Sequence, residues 1–182
     1  MTRHWLFLIL SLISMISYAE ESDISSRIKQ AYQLVWDHKM SEASLLISGI
    51  TESDIVNLSD STRYMYYYVA PSAYSYNENK SILLNYLNKA IKIRESSIGV
   101  QDSEYLELLW GKGSILEDTD PADAMKAYHR GIVIGEGMVN KGNYAINHWF
   151  GRILDSLGEL YYKRGYINQA ISLYREGFTL LK

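Results

Sequence analysis

Ala43, Leu83, Ala124 and Ala170 each stand early in an apolar stripe of helical spacing, and they are separated by 40, 41 and 46 residues. A recurrence of that length marks stacked helix pairs, because one pair cannot bury both of its faces and a neighbour must supply the rest of the core. The last copy gives the clearest register. Leu154, Leu157 and Tyr161 recur at i, i+3 and i+7, one face of a first helix. Gly165 follows the basic pair Lys163-Arg164, as expected where a helix ends. Ile167, Ala170, Ile171, Tyr174 and Phe178 form the stripe of a second helix, and the small Gly158 and Ala170 permit close approach of the two. In the third copy Ala124, Tyr128 and Gly131 repeat the spacing of Ala170, Tyr174 and Gly177. Asp120 is placed to cap that helix, Pro121 suits its first position and Asp123 complements its dipole. The first helix of this copy is predicted over 103–116. The second copy is predicted to pair 64–76 with 80–95, with Leu83, Leu87 and Ala90 in register; the first pairs 24–38 with 41–50, with Ala31, Leu34, Ala43, Ile47 and Ile50 in register.

The run LGELYYKRGYINQAISLYREG resembles the tetratricopeptide repeat: Leu157-Gly158, Tyr161, Gly165, Ala170, Tyr174 and the small Gly177 follow the order of that pattern. Leu154 stands where the family favours Trp, and Gly177 where Ala is usual. The spacing exceeds the standard 34-residue repeat and is similar to the longer variety with extended helices, as in kinesin light chains; Sel1-like repeats of similar length fit as well. The resemblance implies an all-α fold, an α-solenoid of about four antiparallel helix pairs. The repeats fall near 24–57, 60–97, 103–137 and 143–182, within a helical domain over 20–182.

Residues 1–19 read as an export leader. Arg3 and His4 precede the apolar run 6–16, small residues stand at Ser17 and Ala19, and Glu20, Glu21 and Asp23 follow. The run is too short for a membrane span of about 20 residues, so no integral span is expected after cleavage. Loss of Arg3 takes the formal charge of −3 to −4. With no Cys, the chain has neither a disulfide framework nor a thiolate metal site, and its composition suits a bacterial periplasm better than an extracellular fluid of Cys-rich modules. The negative balance argues against a general nucleic-acid binder, which needs a basic surface to neutralise phosphates.

No set of residues spells catalysis. His38, His129 and His148 fall in separate helices or turns, with none of the paired spacings of a metal site. The acidic stretch 117–120 lacks the Gly and Glu of a calcium loop, with Asp123 and His129 at those places, and reads as a helix cap. Gly111-Lys112-Gly113-Ser114 lies inside a helical pattern rather than after a strand, so it reads as a close helix contact and not as a phosphate loop. The expectation is a non-enzymatic protein with no metal and no cofactor.

Six tyrosines, Tyr64, Tyr66, Tyr67, Tyr68, Tyr74 and Tyr76, fall within thirteen residues. A helix rotates successive residues by 100°, so they cannot all face one core, and some meet solvent, a neighbouring repeat or a ligand. The family resemblance implies a concave groove lined by first helices that holds a protein or peptide segment. Carried over in register, it points to Tyr32 and Trp36 in the first repeat, Tyr68 and Tyr76 in the second, and Arg152, Asp155, Glu159, Tyr162 and Lys163 in the last. These five also fit a solvated face of ion pairs. The alternative use of the 64–76 aromatics is a stacking platform for a cell-envelope glycan or small ligand. The apolar last helix fits either its own repeat or a second copy of the chain.

Overall fold

The computed structural model describes residues 2–74, 79–142 and 144–180. Among these there are eight α-helices and no strand: α1 (Thr2–Trp36), α2 (Met40–Ile47), α3 (Asp60–Val69), α4 (Lys80–Ile93), α5 (Ser103–Leu116), α6 (Pro121–Val139), α7 (Asn147–Lys163) and α8 (Ile167–Leu180). The chain divides into two compact units, residues 1–79 and 80–182. No helix among the described residues is long and apolar enough to cross a membrane.

In the first unit α2 and α3 both pack on α1. Ile28 and Ala31 of α1 are fully buried, with Ala43, Ile47, Ile50, Ile55 and Val69 around them. Arg27 donates from Nε and Nη2 to the Leu46 carbonyl at 3.1 and 2.8 Å and from Nη2 to Ser48 at 3.2 Å. A cation thus meets the negative end of α2, where the carbonyls have no helical partner. Helix α1 ends at a residue in the left-handed conformation, His38 (φ 60°). Lys39 N–H then reaches back to Leu34 O at 2.8 Å and His38 N–H to Val35 O at 3.1 Å, the paired bonds that close a helix end. Helix α3 starts at Asp60, four residues before the sequence pattern places it. Ser59 caps it, its hydroxyl accepting from Thr62 N–H at 3.2 Å. It leaves α-helical form at Val69 because Pro71 cannot donate a helical bond, and 70–73 tightens into a 3-10 turn. The second expected repeat therefore has its first helix in one unit and its second in the other.

In the second unit the helices pack in succession, α4 on α5, α5 on α6, α6 on α7 and α7 on α8, with α5 also against α7. Tyr105, Tyr128, Phe150, Ile153, Leu154 and Leu157 are fully buried. Glycines set the closest approaches: a Cβ on Gly113 would stand 2.3 Å from the Tyr128 ring, one on Gly131 2.6 Å from Ile153, and one on Gly135 2.5 Å from Phe150. Helix α4 runs into a π-helical turn over Arg94–Ile98 that ends at Gly99 (φ 115°). This turn buries the Arg94 side chain, which pairs with Asp102 and lies 3.8 Å from Glu104. Asp102 in turn caps α5, accepting from Tyr105 N–H at 3.0 Å. Next to it, Glu95 accepts from the Tyr105 hydroxyl at 2.8 Å and from Arg130 at 2.6 Å, so one charged network joins α4, α5 and α6.

The anchor residues hold corresponding places. The N–H groups of Ala43, Ala124 and Ala170 bond to the carbonyls of Lys39, Asp120 and Tyr166, the residue just before each second helix, at 3.0, 3.0 and 3.1 Å. All three are 0–1% exposed. Gly165 (φ 81°) ends α7 as His38 ends α1, with Tyr166 N–H on Tyr161 O at 3.0 Å and Gly165 N–H on Tyr162 O at 2.9 Å.

Candidate partner-binding surface

In the first unit four aromatic side chains from α1 and α3 gather. Trp36 and Tyr68 lie nearly parallel, 8° apart with centroids at 6.4 Å. Tyr32 meets Tyr68 edge-on at 5.4 Å, Tyr64 at 6.4 Å and Trp36 at 6.3 Å. Tyr64 is buried beneath them, Tyr32 and Tyr68 are half-buried, and Trp36 is 44% exposed. Three of the residues picked out by the repeat register, Tyr32, Trp36 and Tyr68, thus form one patch, with Tyr64 as its base. The spacing explains it. Tyr32 and Trp36 are i, i+4 on α1, and Tyr64 and Tyr68 are i, i+4 on α3, so two matched rows meet where the helices pack. Tyr66 faces the other way and donates its hydroxyl to Ile50 O at 2.9 Å in the interior. Tyr67 is half-buried and Tyr74 exposed. Tyr76 lies outside the described residues.

In the second unit the first helices α5 and α7 build another patch. Trp110 and Trp149 sit 5.4 Å apart, and the Arg152 guanidinium lies 4.4 Å from the Trp110 ring centroid and 5.6 Å from that of Trp149. Trp110 donates its indole N–H to Ser156 Oγ at 3.1 Å, and His148 meets Trp149 edge-on at 4.9 Å. Arg152 and His148 are exposed and both tryptophans half-buried. A guanidinium over two indole faces keeps its charge available at the surface while the rings fix its position.

Of the other register-derived residues on α7, Asp155 and Tyr162 lie beside α8. Asp155 Oδ1 is 3.3 Å from where a Gly177 Cβ would stand, and Asp155, Glu159 and Tyr162 all act electrostatically on Tyr174. Partial burial raises the Asp155 carboxyl above the usual carboxylate range. Glu159 and Lys163 form an exposed i, i+4 ion pair at 2.8 Å, the solvated arrangement that the spacing also allowed. Trp149 escaped the sequence reading. Its signal was available: three residues before Arg152, it shares that residue's side of α7. Among the described residues no group of three or more His, Asp or Glu is placed to hold a metal ion.

No family model and no curated protein sequence matches the chain. In three dimensions it is similar to MamA, whose crystal structure superposes with a TM-score of 0.58 over 92% of this chain and 83% of that one, at 17% identity. The fold is an all-α helical repeat of the tetratricopeptide kind. The likeness to MamA extends to the α-solenoid class expected from the Ala43, Ala124 and Ala170 register.

Proposed function

We propose that the chain is an exported, non-enzymatic interaction module that holds a protein or peptide segment on its first-helix surfaces. The observation that carries this is the pair of aromatic patches, Tyr32–Trp36–Tyr68 and Trp110–Trp149–Arg152. Both lie on helices that the repeat register makes first helices, and both combine rigid apolar area with polar handles. Tyr, Trp and Arg are the residues that dominate binding energy at interfaces, because they bury large area at small entropic cost. Export to a periplasm rests on the leader pattern over 1–19 and on the absence of Cys.

Selection of a displayed peptide library against the full chain tests the reading. Enriched peptides are expected to lose at least about tenfold in affinity on Trp36→Ala or Arg152→Ala, the cost of one anchor of about 2 kcal/mol. Peptides that bind both variants as well as the wild type would refute it. Fractionation of the native host, with the chain released by osmotic shock and trimmed after Ala19, is the outcome expected for export.

A second reading has one specific observation behind it. The near-parallel Trp36 and Tyr68 rings, with Trp36 open to solvent, suit stacking against a sugar or another flat ligand. Calorimetric binding of cell-wall fragments, abolished by Trp36→Ala and Tyr68→Ala, would favour that use over peptide capture.

A further inference from the structure

Helix α8 repeats the stripe of α6 in register but wears it on the outside. Aligning Ala124 with Ala170 places Pro121, Met125, Tyr128 and Ile132 opposite Ile167, Ile171, Tyr174 and Phe178. In α6, Tyr128 is buried against Gly113 of its own hairpin partner α5, as Tyr174 lies against Gly158 of α7, while Ile132 is 9% exposed and Met125 packs on the core of the unit. In α8 the corresponding Ile167, Ile171, Tyr174 and Phe178 are 44, 42, 39 and 63% exposed. The α7 face beside them, with Tyr162 61% exposed, continues the surface. One hairpin thus shows what this stripe is shaped to accept: a helix laid along it.

We infer that the stripe of α8 is a self-association surface, covered in solution by α8 of a second copy in an antiparallel, two-fold arrangement. Three features select that occupant. The positions 167, 171, 174 and 178 are spaced 4, 3 and 4, which reads the same in both directions. A two-fold axis between 172 and 173 therefore sets Ile167 against Phe178 of the second copy and Ile171 against its Tyr174. Each aliphatic side chain then meets a ring, and large fills against small as in a packed core. The area also fits. Aromatic side chains bury about 150–250 Å² each. The exposed parts of these four residues with Tyr162 therefore come to roughly 500 Å² per chain, or about 1,000 Å² for the pair, at the lower edge of specific interfaces. The contact is isologous, the commonest symmetry of soluble oligomers. A weak, concentration-dependent dimer follows.

Sedimentation equilibrium of the full chain, from micromolar to sub-millimolar concentration, tests this. The wild type is expected to follow a monomer–dimer equilibrium. Ile171→Glu, an exposed position in the monomer, is expected to weaken it at least about tenfold, since two carboxylates would be buried beside the axis, with helicity by circular dichroism unchanged. The chain has no Cys, so orientation can be read directly. Mixing Ile171→Cys chains with Tyr174→Cys chains under mild oxidation should give the mixed disulfide-linked dimer in preference to dimers of like chains. A wild type that stays monomeric throughout, a dimer that Ile171→Glu leaves intact, or preferential linkage of like with like would each overturn the inference.

Discussion

Gly113 and Gly137 lie in the two helices of one hairpin, α5 and α6, in opposite surroundings. A methyl group on Gly113 would collide with the buried Tyr128 ring, whereas one on Gly137 meets nothing within 4 Å. Gly113→Ala should therefore cost about 1–3 kcal/mol through overpacking. Gly137→Ala should add about 0.5–1 kcal/mol by restricting the unfolded chain in a helix interior. Urea denaturation of the two variants reads both signs. Arg94 offers a second test. Its side chain is 5% exposed between Asp102 and Glu104. Arg94→Ala removes the buried cation held between Asp102 and Glu104, and a loss of about 2 kcal/mol is expected in the same assay. Of this network the sequence pattern gives only the start of α5 at Ser103. The burial of Arg94 depends on the π-helical turn at the end of α4, which no spacing rule announces.

At the scale of elements, the turn between α1 and α2 and the turn between α7 and α8 use one design with different residues. Gly165 adopts its left-handed conformation without strain, while His38 holds the same region with a side chain (φ 60°). His38→Gly should raise the melting temperature, with a gain of about 1 kcal/mol. Gly165→Ala should lose a similar amount. Helix α8 carries a pH response. Burial first, and then the nearby Glu136, raise the Glu176 carboxyl above its ordinary 4.5. The folded state thus holds this proton to higher pH than the unfolded one. Its contribution is most favourable below pH 4.5 and declines as pH rises from there through the raised value. Glu176→Gln should flatten that decline in stability curves across the same window. Helix limits were legible where caps and glycines stand, as at Asp120, Pro121 and Gly165. They shifted where a proline intervened, as at Pro71, because the apolar pattern alone runs on past it.

Across the whole molecule, the periodic placement of small and aromatic side chains was readable because stacking hairpins impose it on every copy. The repeat register pointed to Tyr32, Trp36, Tyr68 and Arg152, and these side chains do gather in two aromatic patches, because each lies on a helix at a position set by the repeat. It did not find Trp149, and it left open whether Glu159 and Lys163 pair with each other, as they do, or face a partner. Those outcomes depend on which neighbours a side chain reaches, and the repeat pattern does not encode that. The central claim is that the hairpins of Ala43, Ala124 and Ala170 are copies of one structural unit, each Ala buried in the first turn of its second helix. Equilibrium unfolding of Ala43→Leu, Ala124→Leu and Ala170→Leu measures it directly. Each variant is predicted to lose at least about 1–3 kcal/mol by overpacking. A Leu accepted at any one of the three without loss would contradict the equivalence.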